Sequence, residues 1–184
     1  FEKSILPGTV EPDAASPQKA NTSIISAFPV DTLAKLGTVS QTGQLLLSGS
    51  RLMVFAGDGL YGFDVSDPAK PTQVWKDTYG ESSSFVTARL LDKKIYLVTQ
   101  QYLSTGSPCP VAAMRASDTE ISIPCTSLYH PIAPVAVNTT YVVMRINPET
   151  GNVEDTVSVL ADSGSSVVAV FGDLVGSRHG GLRR

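Results

Sequence analysis

The chain predicts an all-β fold made of four-stranded antiparallel units, and three observations carry that expectation. The first is a repeat. Ser48-Gly-Ser-Arg-Leu-Met-Val-Phe55 returns 43 positions later as Leu91-Asp-Lys-Lys-Ile-Tyr-Leu-Val98, each a polar turn leading into an alternating apolar strand. Each copy is followed by a later strand that ends in an acidic or amide residue and proline, Ser66-Asp67-Pro68 and Ile146-Asn147-Pro148. The second observation is punctuation: short alternating runs are bounded by Gly, Pro, Asp and Ser, the residues that favour turns. The third is composition. Of 184 residues, 42% are hydrophobic and 17% charged, below the roughly 25% charged of an average soluble domain, and no long amphipathic helical pattern is visible. Self-similarity at this spacing is how a β-propeller blade looks in sequence.

Residues 1–22 are rich in Pro, Ala and Ser, as in Pro12-Asp-Ala-Ala-Ser-Pro17, and read as an extended lead-in or linker. Ile24 to Phe28 reads as a strand. Asp31 to Leu36, stopped by Gly37, reads as a single helical turn or as a strand tail. Leu45–Leu47 and Leu52–Phe55 flank Ser48-Gly-Ser50 as a hairpin. After the turn Ala56-Gly-Asp-Gly59, Leu60–Val65 is a third strand and Thr72–Tyr79 a fourth, which makes a first blade at about 45–80. The second, at about 85–160, takes Phe85–Leu91, Ile95–Gln100, Thr140–Ile146 and Val153–Leu160. Its second and third strands are separated by an inserted loop, 101–138, with five prolines: Pro108, Pro110, Pro124, Pro131 and Pro134. Loops of that length are functional or disordered, and the two cysteines within this one argue for order. Ser165–Val170 starts a third unit, and 172–184 reads as an irregular basic tail. The expected organisation is a propeller fragment over 23–171, of about two blades plus fragments.

Formal net charge is −3, so no field of one sign would draw a polyanion, and nucleic acid is not expected as a partner. No run reaches the roughly 18 apolar residues of a membrane-spanning helix. The chain begins at Phe1 without the basic and apolar regions of a signal peptide, and is read as a mature or excised piece. Cys109 and Cys125 lie 16 positions apart in one irregular stretch. A pair this local can close a loop as a disulfide, stabilising by about 3 kcal/mol and implying an oxidising compartment. The alternative is two free thiols.

Four segments together resemble a known group. They are Gly62-Phe-Asp-Val-Ser-Asp-Pro-Ala-Lys-Pro71, Arg89-Leu-Leu-Asp-Lys-Lys-Ile-Tyr-Leu-Val-Thr99, an insertion carrying Cys109-Pro110, Cys125 and Tyr129-His-Pro131, and Asn138-Thr-Thr-Tyr141. The combination resembles the secreted β-propeller family of bacteria and archaea that is distantly related to WD repeats, over roughly residues 40–170. The resemblance implies an exported or anchored extracytoplasmic propeller; its motifs are structural and imply no chemistry. A closed propeller needs at least four blades, so the remaining blades are expected outside this chain.

Several constellations invite a chemical reading. Asp58, Asp64 and Asp67 are weak calcium candidates, since carboxylates with turn carbonyls suit a cation that takes six to eight oxygens. Asp beside Gly and Pro is also an ordinary turn former. Gly57-Asp-Gly59 lacks the third glycine and following helix of a nucleotide loop and reads as a hairpin turn. Cys109, Cys125 and His130 could supply three zinc ligands, without a close Cys-x-x-Cys pair. A Cys-His dyad is conceivable, but it conflicts with a disulfide. Neither serine cluster, Glu81-Ser-Ser-Ser84 or Ser163-Gly-Ser-Ser166, matches a nucleophile elbow, while Asn21-Thr-Ser23 and Asn138-Thr-Thr140 match the glycosylation acceptor pattern. Trp75 and most tyrosines are expected between blades; Tyr102, Tyr129 and His130, in or beside the insertion, are the candidate partner-binding residues. The expected function is a non-catalytic extracytoplasmic scaffold or binding module for a protein or cell-envelope polysaccharide, with no cofactor. The alternative is part of a propeller-type enzyme acting on cell-envelope or extracellular glycans. Glu81, Asp118 and Glu120 would have to supply its acid pair, at about 5 to 9.5 Å. A third reading is a metal-stabilised structural module.

Overall fold

The computed structural model describes residues 21–104, 106–116, 118–132, 136–162 and 182–183. Those residues are all-β, with one short 3₁₀ turn at Cys125–Ser127 and no α-helix among them. The strands are β1 (Thr22–Ile25), β2 (Lys35–Val39), β3 (Gln44–Ser48), β4 (Arg51–Phe55), β5 (Gly59–Asp64), β6 (Thr72–Tyr79), β7 (Ser83–Leu91), β8 (Lys94–Tyr102), β9 (Val111–Ala116), β10 (Thr119–Ile123), β11 (Leu128–Pro131), β12 (Thr139–Ile146), β13 (Val153–Ala161) and β14 (Leu182–Arg183). β1 and β2 form a small hairpin. Sheet 1 has the order β10-β9-β6-β5-β4-β3 and sheet 2 the order β14-β11-β13-β12-β8-β7; neither closes on itself.

Each large sheet contains a four-stranded antiparallel meander. In sheet 1 it is β3-β4-β5-β6; in sheet 2 it is β7-β8-β12-β13. Local chemistry builds these hairpins. Asp92 and Lys93, between β7 and β8, have φ of 48° and 58°, as a two-residue type I′ turn requires. Asp tolerates that region, whereas a lysine there strains its Cβ against the following carbonyl. Lys93→Gly is therefore expected to raise the urea midpoint by an amount equivalent to about 1 kcal/mol; an unchanged or lowered midpoint contradicts the strain.

The insertion departs from the irregular loop expected of it. It contains β9, β10 and β11, and these strands are shared between the two sheets. β9 pairs with β6 through Asp77↔Ala116 and Tyr79↔Met114, with β10 outside it. β11 pairs in parallel with β13 through Leu128↔Ser158 and Tyr129↔Val159. The prolines suggest an irregular loop, yet Pro110, Pro124 and Pro131 fall just before, just after or at the last residue of a strand, where no ladder is interrupted. Leu182–Arg183, placed by sequence in an irregular tail, form β14 against β11. The lead-in expected at 1–22 gives way to β1 at Thr22, and the turn at Pro29–Thr32 hands over directly to β2. Residues 1–20 and the third unit at 165–170 lie outside the described residues.

The two sheets share one core. Met53, Phe55, Leu60 and Trp75 from sheet 1 meet Ala88, Ile95, Leu97, Val142, Met144 and Ile146 from sheet 2, with Val111, Met114, Ile123 and Leu128 from the insertion. Phe55 and Phe85 touch across the join, ring centroids 5.4 Å apart. A second cluster, Val39, Leu52, Val54, Tyr61 and Phe63, lies on the opposite face of sheet 1. The core of sheet 2 turns polar near the insertion. Thr99 and Thr140 are 1% exposed, and neither hydroxyl has a hydrogen-bond partner among the described residues. A buried hydroxyl without a partner costs its desolvation free energy. Thr99→Val and Thr140→Val are each expected to raise stability by about 1 kcal/mol, read by urea denaturation; a loss in either would show that its hydroxyl is satisfied.

Candidate functional site

The insertion leaves sheet 2 at Tyr102 and returns to it at Thr139, which are register partners across β8 and β12. In between, it crosses to sheet 1 as the β9–β10 hairpin and crosses back as β11. Cys109, two residues before β9, is bonded to Cys125, two residues after β10, with Cα atoms 5.3 Å apart. The disulfide therefore closes the open base of the β9–β10 hairpin at the place where the chain passes between sheets. Cys109 packs against the main core. Nearby, the Ser83 hydroxyl donates to the Gln101 side chain at 3.3 Å and the Ala112 carbonyl at 3.2 Å, while Ser158 donates to the Ser127 carbonyl at 3.2 Å. The insertion acts as a strap across both sheets.

The end of sheet 2 where the strap starts and finishes is the most apolar exposed part of the insertion. Tyr102 is 66% and Ile132 56% exposed. The pleat decides which residues share a face. Tyr102↔Thr139↔Ala161 and Gln100↔Tyr141↔Val159↔Tyr129 are aligned rows two residues apart, so Tyr102 and Tyr129 point to the same side. Three strand spacings separate β8 from β11, about 14 Å. His130, one residue on from Tyr129, belongs to the opposite face and is exposed. The structure thus puts the two tyrosines on one face but about 14 Å apart, with Thr139 and Tyr141 buried between them, and the histidine on the other face. Ile132 was not singled out by sequence; an isolated isoleucine in a proline-rich stretch carries no signal of exposure.

The remaining candidates serve local structure. Asp58 accepts a hydrogen bond from the Tyr61 hydroxyl at 2.5 Å, and Lys76 approaches it at 3.9 Å while lying over the Tyr61 ring. Asp64 accepts from the Ser66 amide and Asp67 from the Ala69 amide, each side chain closing its own turn. Asp58 precedes β5 and Asp64 ends it, so the length of a strand separates them. No cluster of three metal-ligating side chains occurs among the described residues. With both sulfurs in the disulfide, neither cysteine offers a thiolate to zinc or to a nucleophilic dyad. Asp118 and Glu120 lie at the β9–β10 tip, where Glu120 faces Arg115 at 3.8 Å, whereas Glu81 is in the β6–β7 turn. In the Asn138-Thr-Thr140 acceptor pattern, Thr140 is buried and Thr139 donates to the Asn138 side chain.

Electrostatic perturbations follow the same local pattern. The Ser66 amide, then its hydroxyl and the Arg51 guanidinium, hold the Asp64 carboxyl below its ordinary range. A hydrogen bond from Lys94, helped by Arg145 and Asn147, does the same for Glu154. Burial raises Tyr79, whose enclosed hydroxyl has no hydrogen-bond partner among the described residues, with the Asp58 charge adding to the effect. Burial and the bond to Asp58 raise Tyr61. Glu154, ion-paired with Lys94 and Arg145, lies toward the Tyr102–Tyr129 face of sheet 2 but at the far end of its strands; the end that carries Tyr102 offers apolar and aromatic contact.

A joint at the opposite end of sheet 2 escaped sequence reading. The β12–β13 turn, residues 147–152, rests on sheet 1 at three points. The Trp75 indole N–H donates to the Pro148 carbonyl at 3.0 Å, and Arg51 reaches Glu149 at 2.9 Å. The indole also spreads over Gly62, its register partner, where a Cβ would come within 2.1 Å of the ring. Gly151, with φ of +75°, covers the indole from the turn side; a Cβ there would stand 2.9 Å from it. The tryptophan is held between two glycines from different sheets.

Comparison with known proteins gives two archaeal relatives. An uncharacterized protein of Archaeoglobus fulgidus is 37% identical over 147 residues, 80% of this chain and 23% of that protein. An uncharacterized protein of Methanocaldococcus jannaschii is 26% identical over 142 residues, 76% of this chain and 21% of that protein. The chain matches less than a quarter of the length of either. No family model and no solved structure matches.

Proposed function

We propose that this chain is part of an extracytoplasmic β-propeller that acts as a scaffold or binding module and carries no catalytic site. One observation supports it most: two consecutive four-stranded meanders have the same strand order and stack face to face on one core, with the first strands β3 and β7 in contact. Blades succeed one another around a propeller in that manner. The disulfide favours an oxidising compartment, although such bonds also occur inside hyperthermophilic archaea, so cell fractionation decides the location. No helix of the described residues is long and apolar enough to cross a membrane.

The binding face is the Tyr102–Tyr129 side of sheet 2, and its ligand is a cell-envelope polysaccharide or a protein that stacks on aromatic rings. Sedimentation with purified envelope polysaccharide tests this. Retention of the wild-type chain, and its loss in a folded Tyr102→Ala/Tyr129→Ala variant, is expected. Retention unaffected by that variant contradicts the proposed face, and shortening of the polysaccharide would establish the glycan-acting enzyme instead.

A further inference from the structure

We infer that the outer face of sheet 1, at Leu45 and Leu47, seats another antiparallel sheet supplied by polypeptide on the N-terminal side of this chain. The inference rests on the propeller reading and names where the next unit docks. Register places Leu45, Val54 and Tyr61 in one row and Leu47, Leu52 and Phe63 in the next, all on the face opposite the shared core. The inner members of these rows are covered: Val54 is 0%, Tyr61 3%, Phe63 3% and Leu52 9% exposed. The outer members on β3 are not, at 44% for Leu45 and 60% for Leu47. A single apolar face is therefore sealed over β4 and β5 and open over β3, which is also the edge strand of its sheet.

An open apolar edge strand invites pairing or packing. Three observations identify the occupant. The same sheet already uses its other face to receive a four-stranded meander, so stacking of sheets is how this fold buries such surfaces. The chain reaches sheet 1 from the open side, because Val39 of β2 belongs to the cluster there and the hairpin before it exposes Phe28 at 79% and Val30 at 66%. Finally, the relatives are more than four times as long as the segment they share with this chain, leaving ample sequence for further sheets.

Leu47→Cys supplies the test, with Leu45→Cys as a second variant. Both native cysteines are in the disulfide, so either variant has one reactive thiol. Labelling by a bulky polar maleimide is expected to be fast in this 184-residue chain and at least tenfold slower in the polypeptide extended by its upstream coding sequence. Equal rates in the two, or a reading frame with nothing upstream, overturn the inference. Slow labelling already in the short chain, together with a dimer by sedimentation, makes a second copy the occupant and overturns it too. Small-angle scattering of the extended protein separates this from the broader reading. A ring with a freely labelled thiol removes only the docking site, while a protected thiol without a ring removes the propeller.

Discussion

Trp75→Ala is expected to lower stability by about 3–5 kcal/mol, the range for removing a buried tryptophan, measured by urea denaturation. That is a large part of the 5–15 kcal/mol that holds a typical domain together. The loss has two sources. The indole fills the space between Gly62 and Gly151, and neither glycine has a side chain to move into the cavity. The Pro148 carbonyl also loses its donor. Because the turn at 147–152 belongs to sheet 2, the damage should spread across the join. Amide exchange at Asn147 and Gly151, which close that turn through their own backbone bonds, should accelerate more than exchange in β8. Val74→Ala is the control: Val74, the preceding residue, sits in the β5–β6 bulge, is 46% exposed, and should change stability by about 0.5 kcal/mol or less. A Trp75→Ala protein within 1 kcal/mol of wild type, on the same scale, would show that the joint is incidental.

Cys109→Ser/Cys125→Ser should cost about 3 kcal/mol, from the freedom restored to a loop of this length in the unfolded chain. Reductant acting on the wild-type protein should reproduce the shift. The position of the bond adds a local prediction. It closes the base of a hairpin tied to the sheet 1 meander by the short pairing of β9 with β6 at Asp77–Tyr79 and the Gly80 amide bond to the Ala113 carbonyl. In the serine variant, limited proteolysis should cut between residues 102 and 138 before either meander is attacked. A midpoint insensitive to reductant, or first cleavage within β4 or β8, would refute the role of the bond as the strap's clasp.

How much of this was legible depended on the range of the interaction involved. Hairpins whose turn residues adjoin both strands were readable. Gly49-Ser50 and Asp92-Lys93 combine turn chemistry with period-two alternation inside about 15 residues, and β3–β4 and β7–β8 form there. The local cysteine pair was legible for the same reason. The strands β9 and β11 were not, because each joins its sheet through a partner distant in the chain. β9 needs Asp77–Tyr79, more than 30 positions earlier, and β11 needs Ser158 and Val159, 30 later. Their own residues, such as Val111-Ala-Ala-Met-Arg-Ala116, alternate poorly, and the prolines around them dominated the reading.

The candidate site divided along the same line. Tyr102, Tyr129 and His130 could be picked out by type, but their grouping depended on register. One step along β11 moves a side chain through the pleat to the other face, which separates His130 from the two tyrosines. Trp75 was expected to pack between units, yet its seat between Gly62 and Gly151 joins residues 13 and 76 positions away, and no local pattern encodes that.

By itself the sequence determined that the chain is all-β, where its strongest hairpins turn, and that two cysteines are close enough to bond. These follow from propensity, alternation and short loop closure, which act within a few residues. Only the tertiary structure decided that the insertion is a strap shared by two sheets, that the disulfide is its clasp, and that a tryptophan between two glycines joins the sheets at the far end. Those outcomes come from burying apolar faces against partners distant in the chain, and from a pleat that assigns neighbouring residues to opposite sides.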